Sequence, residues 1–378
     1  TWFIPETQLF THDLKLFFMV TIFGIGAIAL DLIDILIIGI MMPSLYFLTG
    51  ATDVETAFSC FTTPTIWLIL GALVLAEGLS NCGLLTRISY IVIEKFGKNF
   101  TVLIFGIFIT GIFLNIITFC NAYIIMMTLG YGLIRAMNLK KGAASALISY
   151  ASVMGGLSPL AFIYDPNYRA LGENAIHEFI PDAFFPWFLS YVYNWPVFLG
   201  MLVCLYILCR VFKASKYDDL VDPYYFKKKL EELGSITMAE KKALILLGVI
   251  IVYVLTTTWT KLPVAYVFMT VPYLFFIPEL KIADRNALRN LNFGIVFFIA
   301  ACLAIGIVGS ALGLGNLIIS LVHPLLEGKS ALMTLLIAYV TGIVGNLAMT
   351  PTAIMASLSY PFVELGISLG IHPFTVIQ

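Results

Sequence analysis

The 378 residues are 60% hydrophobic and only 11% charged, with mean hydropathy +0.98, whereas soluble globular chains are roughly half apolar. That composition excludes a water-soluble enzyme or binding module and predicts an all-α polytopic membrane protein whose solvent is the lipid bilayer. The formal net charge of −1 offers no basic excess for nucleic acid and no acidic tail for a cationic partner.

In chain order, apolar stretches predict helical crossings over roughly 15–30, 33–50, 62–82, 185–212, 237–257, 262–278 and 291–313. Three further apolar regions are interrupted. The region 100–136 contains Asn115, Thr118, Asn121 and Gly130, 143–170 contains Gly155-Gly156 and Ser158-Pro159, and 330–362 contains Gly345-Asn346 and Pro351. These predict broken helices, the first and last being re-entrant hairpins. The stretch 84–97 is too short to span and carries Arg87, Glu94 and Lys95 among apolar residues, which predicts a helix lying in the interface. Residues 314–327 read as its weaker counterpart. The most polar stretch, 213–242, reads as a solvated linker with a short amphipathic helix. The expected organisation is scaffold helices with an interfacial helix over 1–98, a first transport half over 99–212, a cytoplasmic linker over 213–236, second-repeat scaffold helices over 237–327 and a second hairpin over 328–378.

Charge position predicts orientation, since Lys and Arg gather in cytoplasmic loops. The segments 84–98, 135–142, 210–242 and 278–290 hold 17 of the 21 Lys and Arg, leaving Lys15, Arg169, Lys261 and Lys329 elsewhere. With those segments cytoplasmic, the two hairpins enter from opposite faces of an inner or plasma membrane. The six cysteines lie in apolar segments without CxxC spacing and read as small core residues.

Within the hairpins, Thr110-Gly111-Ile112-Phe113-Leu114-Asn115-Ile116 and Thr341-Gly342-Ile343-Val344-Gly345-Asn346-Leu347 match at Thr, Gly, Ile and Asn. A lone intramembrane Asn or Thr is ordinarily interhelical glue. Its recurrence in both halves is the pattern of transporters built from inverted repeats, which bind cargo at discontinuous helices. An unwound turn frees carbonyls for a cation, and a carboxamide offers both an acceptor and donors. Half-helix N-termini favour an anion. The same 231-residue offset pairs Asn121 with Thr352. Asp165-Pro166-Asn167 either lines a cavity opposite the first tip or forms an external turn. Glu77 reads as a snorkelling or ion-paired residue, and Asp31 and Asp34 as a short turn. No phosphate-binding loop or HExxH is present, which argues against an ATP-driven pump and a zinc protease. No nucleophile or cofactor motif suggests an enzyme.

The run Thr63-Pro64-Thr65-Ile66-Trp67-Leu68-Ile69-Leu70-Gly71 resembles the start of a scaffold helix in the divalent anion/sodium symporter (DASS) family of the ion transporter superfamily. Asn292-Phe293-Gly294-Ile295-Val296 with Ile305-Gly306 resembles the second-half counterpart, and Thr237-Met238-Ala239-Glu240-Lys241 resembles the linker end. The resemblance implies a homodimeric, elevator-like symporter carrying a small anion of the carboxylate, dicarboxylate or sulfate class with Na⁺. Family members carry Ser-Asn-Thr at each hairpin tip. Here one register places the tips at Leu114-Asn115-Ile116 and Gly345-Asn346-Leu347. The other places them at Phe119-Cys120-Asn121-Ala122 and Thr350-Pro351-Thr352-Ala353. The first is preferred because it keeps an asparagine in both halves.

By this resemblance, Asn115, Asn121, Asn346, Thr352, Pro166 and Asn167 contact substrate. Thr110, Leu114, Asn115 and Gly155 would frame one Na⁺ site, and Thr341, Val344 and Asn346 the other. Losing the flanking hydroxyls puts a dicarboxylate in doubt and leaves two alternatives, an anion exchanger without Na⁺ coupling and a cation or proton antiporter. The repeat also predicts a counterpart of 143–212 beyond residue 378.

Overall fold

The computed structural model describes residues 5–30, 32–96, 99–158, 169–221, 224–314, 317, 320, 331–345 and 351–377. Among them there is no strand. In chain order the helices are α1 (His12–Ala29), α2 (Ile35–Leu48), α3 (Val54–Phe58), α4 (Pro64–Asn81), α5 (Leu84–Glu94), α6 (Phe100–Thr118), α7 (Tyr123–Ala136), α8 (Ala143–Gly156), α9 (Arg169–Phe179), α10 (Leu189–Val211), α11 (Tyr225–Leu233), α12 (Met238–Thr260), α13 (Ala265–Phe268), α14 (Phe293–Ala311), α15 (Ala331–Gly345), α16 (Pro351–Ser368) and α17 (Pro373–Ile377). Among the described residues, five helical runs are long and apolar enough to cross a bilayer, Val54–Asn81, Phe100–Thr118, Val192–Val211, Met238–Thr260 and Phe293–Ala311. The chain is an all-α, multi-pass integral membrane protein. Polar residues fix several helix starts by accepting otherwise unpaired first-turn N–H groups: Thr11 for α1, Asp34 for α2, Asn99 for α6, and Thr237 with Glu240 as a reciprocal box for α12.

The chain divides into two compact units, one of Thr1–Ile69, Asn167–Phe185 and Asn292–Gln378, the other of Leu70–Pro166 and Pro186–Leu291. In the first unit, α14 packs on α2 and α16. Gly39 lets α2 approach closely, since a Cβ there would lie 2.6 Å from the Phe297 carbonyl carbon. Phe17 stacks on fully buried Tyr46 at 5.4 Å, and the Tyr46 hydroxyl meets Thr21 Oγ1 at 2.8 Å. Helix α9 packs on α16, where Asn174 Nδ2 donates to the Tyr360 hydroxyl at 2.7 Å. The sequence did not predict α9 as a separate helix. It carries a buried Arg169, which pairs with Glu173 at 2.7 Å and donates to the Phe185 carbonyl.

In the second unit, α6, α7 and α8 form a close trio. Glycine makes this possible: a Cβ on Gly111 would overlap the Gly155 backbone, and one on Gly155 would lie 2.9 Å from the Phe108 carbonyl oxygen. Along α4, Gly71 receives the Phe268 backbone, and Gly78 receives the Phe275 ring, to which a Cβ at Gly78 would lie 2.9 Å. The expected crossing over 262–278 is corrected here. It is the four-residue α13 followed by a 3₁₀ turn, Val271–Phe276. Pro272 has no N–H to donate to an α-helical ladder, which accounts for the change of winding.

The segment 213–242 is mostly exposed and carries the expected short amphipathic helix, α11, but it is anchored at several points. The 3₁₀ turn Ala214–Leu220 buries Ala214, and Asp218 Oδ1 accepts the first N–H of α6, from Phe100, at 2.9 Å. Tyr217 packs on Phe100, and buried Phe226 of α11 lies 6.1 Å from the Tyr90 ring of α5. Arg87 of α5 binds Glu240 and the carbonyls at the end of α11. The segment is therefore a strap across α5 and the start of α6.

Candidate functional site

The first hairpin is interrupted between α6 and α7, at Phe119–Ala122. Phe119 has φ 49° and ψ 60°, and Cys120 has φ 67°. Two successive left-handed residues without glycine are unfavourable, at about 1–2 kcal/mol each. Such strain persists where surrounding bonds over-determine it. The Cys120 N–H donates to the Asn115 carbonyl at 2.9 Å. Thr118 Oγ1 donates to the Leu114 carbonyl at 2.8 Å and accepts from the Asn121 N–H at 3.2 Å. Asn121 Nδ2 donates to the carbonyls of Phe119, at 2.9 Å, and Thr118, at 3.3 Å. Phe119 is fully buried, edge-on against Phe268 at 4.8 Å between ring centres.

In the first hairpin this geometry departs from the preferred register; the corresponding tip of the second hairpin lies outside the described residues. The tip is at 119–122, as the second register has it, while Asn115 and Leu114 lie within α6. A matching asparagine in both halves drew the first register one turn too early. The turn itself is set by backbone conformation, which leaves no residue signature in a run of Phe, Cys, Asn and Ala.

Asn115 nevertheless reaches the tip. It is 4% exposed, its Nδ2 donates to the carbonyls of Gly155 at 2.9 Å and Gly156 at 3.1 Å, and its Oδ1 accepts the Ala122 N–H at 3.2 Å. One side chain thus joins the end of α6, the start of α7 and the end of α8. Gly155 is held there as expected, but its carbonyl also accepts from Ser158 Oγ at 2.8 Å. Thr110 is buried farther back on α6, with its hydroxyl donating to the Gly106 carbonyl at 2.7 Å. The structure brings together Asn115, Gly155 and Asn121, and adds two hydroxyls that the sequence had not singled out as ligands, Thr118 and Ser158. Among the described residues no donor reaches Asn121 Oδ1. Helix α7 starts without a side-chain cap, so first-turn N–H groups are available at the tip.

The second hairpin consists of α15 and α16, which flank 346–350. Asn346 lies outside the described residues, as do Asp165, Pro166 and Asn167. Thr341 and Val344 belong to the last turns of α15 and Thr352 to the first turn of α16, with their side chains outside the description. Among the described residues no cluster of His, Cys, Asp or Glu could hold a metal ion. Among the described residues at the tip, the groups that could face a cation are amide, hydroxyl and carbonyl oxygens.

A family profile described as "Citrate transporter" matches residues 16–374, taking in both hairpins. The sodium-dependent dicarboxylate transporter SdcS of Staphylococcus saprophyticus is 26% identical over 366 residues, covering 85% of this chain and 67% of that protein. A candidate malate transporter of Bacillus subtilis, YflS, is 37% identical over 101 residues, covering 26% of this chain and 20% of its own length.

Proposed function

The chain belongs to the citrate transporter family, and from that premise we propose that it is a secondary transporter of small carboxylates, coupled to Na⁺. The observation that carries this reading is the family match across 16–374, which spans both hairpin regions. The tip chemistry supports it. Asn121 offers an acceptor rather than a donor, which suits a cation. The uncapped first turn of α7 offers N–H groups at the positive end of a helix dipole, which suits a carboxylate. Asn121 is thus assigned to the cation, with Thr118 and Ser158 beside it, and the α7 N-terminus to the anion.

The 231-residue recurrence supports two repeats, and the placement of Lys and Arg supports their opposite orientation in the membrane. An elevator-like movement and a homodimer complete the proposal, on the DASS resemblance. Na⁺ coupling has its support in a relative named as sodium-dependent.

The test is uptake into liposomes containing the purified full chain, with labelled citrate, malate, succinate and sulfate, under an inward Na⁺ or K⁺ gradient. Carboxylate accumulation that requires the Na⁺ gradient is expected, and Asn121→Ala should raise the half-saturating Na⁺ concentration. Equal uptake under both gradients, with acceleration by internal carboxylate, would make the protein an exchanger. Cation flux without any anion would place it among the antiporters.

A further inference from the structure

Among the described residues, Asn115 is the one side chain that bonds across all three helix ends at the first hairpin. Both of its amide hydrogens are taken, by the carbonyls of Gly155 and Gly156, and its oxygen holds the Ala122 N–H. No hydrogen remains for a carboxylate. Its own main-chain carbonyl accepts from Cys120, so the residue ties the left-handed turn from two directions. The approach of Gly111 to Gly155 brings the end of α8 within reach of a side chain of this length. Without the amide, the Gly156 carbonyl and the Ala122 N–H lose this partner in a buried setting, where unpaired polar groups are costly, while the Gly155 carbonyl keeps Ser158.

On the transport reading above, we propose that Asn115 is a positioning residue: it latches the first hairpin tip to the end of α8 and so fixes the groups that meet the cargo, without meeting the cargo itself. This separates it from Asn121, which sits in the turn. The latch makes the tip and α8 a single polar assembly, held by three bonds from one carboxamide.

The test uses the purified full chain and a readout that does not depend on transport. Cys120 is half-buried at the tip, and Cys204 is exposed on α10. Labelling by a membrane-permeant maleimide is followed at both by peptide mass spectrometry. The Cys120 to Cys204 ratio is then compared with wild type at the same pH. Asn115→Ala is expected to raise this ratio about tenfold, the opening that follows from losing buried hydrogen bonds. Asn115→Asp keeps the length and the acceptor. Ionised, it sets a negative charge against two carbonyls, whereas protonated it donates to one of them. Its labelling ratio should therefore be high at alkaline pH and return toward wild type on acidification, with no such return in Asn115→Ala. A purely structural loss predicts no acid rescue. Should Asn115→Ala fail to give monodisperse protein, the acid rescue of Asn115→Asp carries the test. Wild-type ratios in both variants would overturn the latch. So would an altered half-saturating Na⁺ concentration in Asn115→Asp with unaltered labelling, which would make Asn115 a ligand. Absence of carboxylate uptake by wild type, with the labelling pattern as expected, would sink the transport reading and leave the latch standing.

Discussion

Replacing Arg87 by alanine should release the strap. Arg87 Nε pairs with Glu240 Oε1 at 2.7 Å, with side-chain exposures of 11% and 4%. Nη1 donates to the Gly234 carbonyl at 2.9 Å, and Nη2 to those of Ser235 at 3.3 Å and Leu233 at 3.4 Å. These carbonyls end α11, so the guanidinium caps that helix while holding the start of α12. Removing one partner of a buried pair costs about 3–5 kcal/mol. The remaining exposure of Arg87 and the hydrogen bond that Glu240 keeps from the Thr237 N–H, at 2.7 Å, argue for about 3 kcal/mol. That corresponds to about a hundredfold faster amide exchange over 225–240, if the strap opens as a local unit. Arg87→Lys keeps the charge but not the fork, and should give an intermediate rate. Hydrogen–deuterium exchange of the purified protein reads this directly. Exchange in Arg87→Ala within about threefold of wild type would show the pair to be worth under about 1 kcal/mol, as at an ordinary surface, and would refute the strap.

Gly111→Ala should push α6 from α8 and lower the unfolding temperature in detergent, by about 1–3 kcal/mol of overpacking; an unchanged transition would contradict the close approach. Tyr46→Phe removes the bond to Thr21 while Thr21 keeps its bond to the Phe17 carbonyl at 2.8 Å, so a loss of about 1 kcal/mol is expected in the same assay. Asp284 caps the 3₁₀ turn Arg285–Asn290, and bonds from the Asn286 N–H and then its side-chain amide hold the Asp284 carboxyl below the usual carboxylate range. Its stabilisation is present above the unfolded value and disappears as pH falls through the lower folded one. Amide exchange over 285–290, corrected for its intrinsic pH dependence, should rise in that acid window in wild type and stay level in Asp284→Asn.

The long apolar helices were legible because a bilayer span needs a continuous stretch of predominantly apolar residues, and α4, α6, α10, α12 and α14 each contain one. The broken hairpin was legible from Asn115, Thr118 and Asn121 inside an apolar run. The position of its turn was not, because left-handed backbone at Phe119 and Cys120 follows from bonds to Thr118, Asn121 and Asn115 that form only in the folded chain. Helix α9 was missed because its sequence, Arg169–Phe179, is polar on average, and only tertiary packing shows that Arg169 is buried with Glu173. The strap was missed for the same reason. Asp218 finds Phe100 across 118 residues and Glu240 finds Arg87 across 153, and local polarity gives no sign of such distant anchors.

Phe268 and Phe275 stand seven residues apart, and so do the two glycines of α4 that receive them, Gly71 and Gly78. On α4 seven residues are close to two full turns, about 10.5 Å of rise, so both glycines open on one side. The segment between the two aromatic residues, with its change from α to 3₁₀ winding, must then measure out a fixed distance. Apart from Pro272, side chains at 269–274 can vary as long as that distance holds. A single residue inserted or deleted there would seat one of the two residues and strand the other, so chain length over 269–274 is the more stringent constraint.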